Sequence, residues 1–365
     1  VCSSDLTTPR KVINLASFNF TGMVESPRIR AKAIEILREY GVGSCSPPGF
    51  YGTSDMHMKL ERNIAKFLGT ENAIVYSQGF STVSGVIPAF CKRGDIIVAD
   101  VGVNFAIQKG LQLSRSTIYW YDHNDMNSLE LVLQHVCEAH KTSRSQLQRR
   151  FIVTEGLFEN DGAISDLRKI VDLKKRFKFR MFLDESYSIG ALGQHGRGLT
   201  EAQSVDVKDI DFIIGNLAIA FGAAGGFCAS SEHGVHHQRI NGLSFVFSAA
   251  MPVMCVAGAD EAMDMVQNEP ERLERRAHRA ALHHGVLRLE PRLEHVERVG
   301  IAKPQRLVGG HRIDDLLAQA ATRLRLDRPD QIAERLDALL LHQLVQPAGH
   351  QILLVVAKQN AARLL

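Results

Sequence analysis

Between residues 28 and 40, apolar Ala31, Ile34, Ile36 and Leu37 recur among charged residues, directly after Pro27. That spacing predicts an amphipathic helix whose first turn accommodates the proline. A loop rich in glycine, serine and proline follows over 41–52, and helical spacing resumes over 55–68. Short apolar runs then predict strands at 73–76, 96–99, 117–120, 151–154, 180–183 and 212–214. Helical patterns between them cover 81–91, 104–113, 125–140 and 166–177. Strand–helix alternation at this spacing predicts an α/β domain on a largely parallel sheet. No internal repeat interrupts it.

Two windows, 212–231 and 240–259, are free of charge over a length that would permit a membrane span. Gly215, Gly222, Gly225 and Gly226 punctuate the first, and Asn241, Gly242 and Pro252 the second. Such breaks predict buried strands and turns instead.

Composition changes the picture near residue 268. The 365 residues are 45% hydrophobic, with 43 Lys+Arg against 40 Asp+Glu. This is ample for a large core, and a balance so even does not announce a nucleic-acid binder. Up to Gln267 there are 12 Lys and 15 Arg; beyond it there are 2 Lys and 14 Arg, and no Phe, Tyr, Trp or Cys. Helical spacing at 271–284, 314–323 and 329–341 and a strand pattern at 351–356 predict a smaller C-terminal α+β domain over 268–365. Its arginines alternate with acids and read as solvated helix faces. The larger domain is expected over 53–267, preceded by a segment and glycine-rich loop over 7–52. Six cysteines without a C-x-x-C pair read as thiols of a reducing compartment. The first six residues lack a Met and resemble a translated sequencing adapter. They are expected to be an artefact, with the natural start, and any membrane anchor before it, outside this sequence.

Several chemistries leave no trace. There is no G-x-G-x-x-G opening a helix after a strand, no P-loop, no H-E-x-x-H and no G-x-S-x-G. His236-His237 lacks ligand spacing to any cysteine or carboxylate cluster and reads as a surface or packing pair.

Four segments in order carry a specific pattern. They are Gly41-Val-Gly-Ser-Cys-Ser-Pro-Pro-Gly-Phe-Tyr-Gly-Thr53, Tyr76-Ser-Gln-Gly-Phe80, Leu183-Asp-Glu-Ser-Tyr-Ser-Ile-Gly190 and Gly215-Asn-Leu-Ala-Ile-Ala-Phe-Gly-Ala-Ala-Gly-Gly226. From about Asn14 to Met265 the chain resembles the α-oxoamine synthases, pyridoxal-phosphate enzymes that join an amino acid to an acyl-CoA with loss of carbon dioxide. The resemblance implies a fold-type-I, aspartate-aminotransferase-like large domain. Such chemistry needs a lysine for the cofactor aldehyde, a carboxylate against the pyridinium nitrogen, a ring over the cofactor face, and backbone N–H groups for its phosphate.

By that resemblance Asp184 is the carboxylate, and Ser77-Gln78-Gly79-Phe80 is the phosphate turn. The ring-stacking histidine falls on Phe105, a second family histidine on Tyr187, and the Schiff-base lysine on Ile219. No lysine lies between Lys208 and Lys303, and Lys208 precedes the strand, at its far end. Isoleucine cannot form an imine, so the chain alone is expected to be inactive. Lys92-Arg-Gly-Asp-Ile96, Phe105-Ala-Ile-Gln-Lys-Gly110, His123-Asn-Asp-Met126, Glu155-Gly-Leu157 and His195-Gly-Arg-Gly-Leu-Thr200 narrow the resemblance. It is to the non-catalytic long-chain-base subunits of serine palmitoyltransferases, with Pro48 where their signature has Arg.

That resemblance implies a heterodimer with a lysine-bearing catalytic subunit that holds the pyridoxal phosphate, and with L-serine and palmitoyl-CoA at a shared site. It also implies residence at the endoplasmic reticulum membrane, on the cytosolic face. The loop 43–51, Asn104 and Ser248 are expected at the subunit interface. The residues themselves leave alternatives open: Asp184 as a turn-capping acid, Asn104 as a plain N-cap, and Ser248 as an ordinary serine. An active homodimeric α-oxoamine synthase would need the missing lysine and histidines. A purely regulatory scaffold would need none of them.

Overall fold

The computed structural model describes residues 18–19, 21–140, 148–269 and 271–273. Of two compact units, Val1–Val286 and Leu287–Leu365, the second lies outside the described residues. So do the first six residues and the elements predicted over 314–323, 329–341 and 351–356.

The chain runs through α1 (Pro27–Tyr40), a π-helical turn (Pro48–Gly52), α2 (Asp55–Leu68), β1 (Asn72–Tyr76), α3 (Gly79–Phe90), β2 (Ile96–Asp100), α4 (Phe105–Ser114) and β3 (Thr117–Tyr121). It continues through α5 (Met126–Ala139), β4 (Arg150–Glu155), α6 (Leu167–Phe177), β5 (Arg180–Asp184), α7 (Leu199–Ala202), β6 (Phe212–Asn216) and β7 (Gly226–Ser230). The helices α8 (Glu232–Asn241), α9 (Leu243–Val246) and α10 (Val253–Asn268) follow. Each strand predicted between 73 and 214 forms, extended by a residue or two. The pattern did not predict β7. It lies inside the first charge-free window, which folds as β6, a turn and β7.

One seven-stranded sheet has the order β1-β7-β6-β5-β4-β2-β3. From β6 to β3 its pairs are parallel, while β7 runs antiparallel to both β1 and β6. The reason is connection length. Only residues 217–225 join β6 to β7, too few for the crossover that a parallel return needs.

Side chains alternate between the two faces, as the pleat requires. On one face Ile97, Phe151, Phe182, Phe212 and Cys228 pack with α3, α4 and α8 residues such as Val86, Ile107 and Val235. On the other, Val98, Ile152, Met181, Leu183 and Ile213 pack with Leu60, Leu133, Ile170 and Met263. Phe182 and Phe212 stack at 4.7 Å between ring centroids. The second charge-free window folds as the end of α8, α9 and the start of α10. Among the described residues no helix is long and apolar enough to cross a membrane. His237 packs as expected, its ring 4.9 Å from that of Phe90 and bonded to the Ala89 carbonyl at 2.8 Å.

Because β2, β4, β5 and β6 are parallel, their C-terminal residues Asp100, Glu155, Asp184 and Asn216 share one edge of the sheet. That edge is where open α/β sheets bind ligands.

Candidate functional site

Asp184 ends β5 and is buried. Opposite it in register on β4 stands Glu155, also buried. Asn104 bridges the two acids. Its side-chain amide donates to Asp184 Oδ2 at 3.0 Å, and its backbone N–H donates to Glu155 Oε1 at 2.6 Å. The same side chain accepts from the Ile107 N–H at 2.9 Å, capping α4. Asn104 is therefore both the helix cap and the partner of the site carboxylate. Asp184 Oδ1 accepts from the Ser186 N–H at 2.9 Å, so the acid also caps the turn that follows β5. The capping role that the sequence offered for each residue is present in the fold.

The electrostatics follow from burial without a cation. Among the described residues, no lysine or arginine pairs with Glu155, Asp184 or the next residue, Glu185. Burial, with the Asp184 charge alongside, pushes the Glu155 carboxyl up to about 8. Burial raises Asp184 as well, against the hydrogen bonds from Ser186 and Asn104. Burial lifts Glu185 to about 7, although it accepts from the Leu199 N–H at 2.9 Å and from the Ser188 hydroxyl. With no cation alongside, Glu155 thus holds a proton at neutral pH.

The remaining predicted residues surround this core. Tyr187 is half-buried, its ring edge-on to Phe18 at 5.2 Å. Burial, reinforced by the Glu159 charge, raises its hydroxyl. Phe105 opens α4 and faces Phe80 across 6.0 Å, with Lys109 Nζ 4.9 Å from the Phe105 ring centroid. Both rings are about half-exposed. Gly79 opens α3, where Asn216 approaches so closely that a Cβ would meet its Cγ at 2.7 Å. Only glycine admits that contact. Ser248 lies beside this turn, its hydroxyl 3.2 Å from that of Ser77. Ile219 is buried in the β6–β7 connection, whose Ala220 carbonyl accepts from the Thr21 hydroxyl. Lys208 precedes β6, whose first residue pairs with Phe182. It stands at the opposite end of the sheet from Asp184.

These residues fit a pyridoxal phosphate at its ring nitrogen and do not fit it at its aldehyde. A buried, cation-free acid suits a pyridinium. Position 219, where the resemblance puts the lysine for the aldehyde, is an isoleucine and offers no amine. The arrangement can orient and neutralise charge.

Glu155 and Glu185 were not singled out as site residues by the sequence reading. A signal existed. Three apolar strand runs, Ile96–Asp100, Phe151-Ile-Val-Thr-Glu155 and Met181-Phe-Leu-Asp184, each end in an acid. In a parallel sheet such acids converge on one edge.

Comparison with known proteins agrees with this geometry. The aminotransferase class I and II family model matches residues 10–298. Serine palmitoyltransferase 1 of Dictyostelium discoideum is 43% identical over 265 residues, 73% of this chain and 55% of that protein. Long chain base biosynthesis protein 1b of Oryza sativa subsp. japonica is 46% identical, over 72% of this chain and 54% of that protein. The chain thus spans about half the length of these curated relatives. A solved structure of SPT with a PLP internal aldimine superposes with a TM-score of 0.69 at 28% identity, covering 74% of this chain and 66% of that one. Motifs, sheet and relatives agree, and the chain belongs to the aminotransferase class I and II family.

Proposed function

We propose that this chain is the non-catalytic subunit of a serine palmitoyltransferase. In this reading it supports the condensation of L-serine with palmitoyl-CoA to 3-ketodihydrosphingosine, the first committed step of long-chain-base synthesis. The observation that carries the reading is the pairing of a retained acid, Asp184, with an isoleucine at position 219. The names of the relatives supply the reaction. A lysine-bearing partner holds the pyridoxal phosphate and supplies its carbanion-stabilising chemistry.

What this chain contributes is shape and charge at the shared site. Val42, Phe50 and Tyr51 of the glycine-rich loop and Phe247 beside Ser248 are exposed large apolar side chains. A partner covering them would bury a surface on the order of 2,000 Å² or more. Ser248 and Ser77 then stand at that interface as hydroxyl donors. In this reading the pair resides at the endoplasmic reticulum membrane, facing the cytosol.

Co-expression tests the reading. Serine palmitoyltransferase activity is expected only when this chain and the lysine-bearing subunit are present together. Full activity of that subunit alone would favour a regulatory scaffold, and activity of this chain alone would overturn the proposal.

A further inference from the structure

We propose that His123 is a positioning residue: its ring clips the β2–α4 turn to the β4–α6 segment, and so fixes Asn104 and Phe105 at the edge of the sheet. His123 lies after β3, outside the residues placed at the site above. Its Nδ1 is 2.8 Å from Asp100 Oδ1, and its Nε2 is 2.9 Å from Asp161 Oδ2. A carboxylate at both nitrogens requires a proton on both, so the ring is an imidazolium in this geometry. Asp100 is fully buried at the end of β2, whereas Asp161 is half-exposed on the β4–α6 segment. The cation thus ties the end of β2 to the segment that follows β4, beyond the last pair of their ladder.

Neighbouring contacts show what the clip holds. Asp100 Oδ1 also accepts from the Gly102 N–H at 2.7 Å, and Oδ2 accepts from the Asn124 N–H at 2.8 Å. Asn160 donates to the Gly102 carbonyl at 3.1 Å, and Asn124 donates to the Ile164 carbonyl at 3.0 Å. The ring stands edge-on to Phe158 at 4.5 Å. It lies so close over Gly102 that any Cβ there would collide with it. Two residues beyond Gly102 is Asn104, the partner of Asp184 and Glu155. Displacement of this turn therefore moves the cap of α4, the Phe105 ring and the hydrogen bond to the site carboxylate together.

The charged groups set against the ring are Asp100 from β2 and Asp161 from the β4–α6 segment. From β3, the buried Tyr121 faces Asp100 rather than the ring. The two carboxylates raise the His123 value above that of free imidazole, against the cost of burial. The clip is therefore favoured on the acid side of the raised value, where the ring carries both protons. It loosens as the pH rises through the raised value, the exposed Asp161 contact being the one released.

The test uses the full chain together with its lysine-bearing partner, and it rests on the proposed function only for its activity arm. In the first arm, histidine-selective NMR follows the His123 ring. The expected titration midpoint lies above about 6.5, and Asp161→Asn lowers it by about one pH unit. A midpoint at or below the free value, or one that Asp161→Asn leaves in place, would sink the clip. In the second arm, activity is measured against pH. Asp161→Asn is expected to move the alkaline limb to lower pH by the same shift, whereas His123→Gln removes the difference between the two. Gly102→Ala is expected to lower activity about tenfold or more by moving the turn. Glu155 titrates in the same range, so the difference between variants is the readout. Identical limbs in wild type and Asp161→Asn would confine His123 to a structural role and overturn the proposal. An inactive wild-type pair would instead defeat the functional reading and leave the NMR arm to decide the clip.

Discussion

Asn104 shows how much one side chain does at this edge. Its carbonyl oxygen caps α4 and its amide satisfies Asp184 Oδ2. Asn104→Ala is expected to lower stability by about 2–3 kcal/mol, the sum of a lost N-cap and an unpaired buried carboxylate. The shift in the urea midpoint measures it. A loss no larger than an ordinary cap, about 1 kcal/mol, would mean that the Asp184 contact contributes nothing. Glu155 gives a prediction with a sign. Its carboxyl is raised to about 8 in the fold, so between the unfolded value and that point the native state holds a proton that the unfolded state has released. Stability should therefore fall as pH rises from about 4.5 to about 8 and level off above it. Glu185, raised to about 7, adds to the lower part of that fall. Glu155→Gln, which cannot titrate, should flatten the slope in unfolding experiments. An unchanged slope would show that the proton resides elsewhere. Asp184 was readable from its motif. Glu155 was not, because its role appears only when two parallel strands bring their terminal acids side by side.

At the scale of elements, His57 joins α2 to the chain that carries Ser248. Its Nδ1 accepts from the Ser54 N–H at 3.1 Å, and its Nε2 donates to the Met251 carbonyl at 2.8 Å. The bond accepted at Nδ1 needs the neutral ring, and burial lowers its value, against the Met251 bond. A lowered histidine stabilises above the unfolded value and loses that contribution as pH falls below about 6.5. His57→Ala should cost about 1–2 kcal/mol and weaken the acid-side loss of stability. Equal acid sensitivity in the variant would contradict this. The strands were readable because β-branched and apolar runs stand between helical patterns. The strand β7 was not. Gly226-Phe-Cys-Ala-Ser230 is short and follows a run of glycine and alanine, and its antiparallel direction comes from the short connection rather than from its own residues.

For the whole molecule, the exposed apolar loop and the sheet edge lie where the proposed partner would cover them. Hydrogen exchange on adding the lysine-bearing subunit should slow in residues 42–51 and 243–250. It should stay unchanged around Lys208–Asp211, at the other end of the sheet. Protection at that opposite end instead would place the partner on another face. The α/β architecture was readable in the alternation of elements. The chemistry was readable only through the collinear motifs, because a missing amine leaves no periodic trace. The most direct measurement treats the purified pair with pyridoxal phosphate and borohydride and maps the reduced adduct by mass spectrometry. The account predicts a stoichiometric adduct on the partner's lysine and none on this chain. A stoichiometric adduct on a lysine of this chain, with the visible absorption of a Schiff base before reduction, would contradict it.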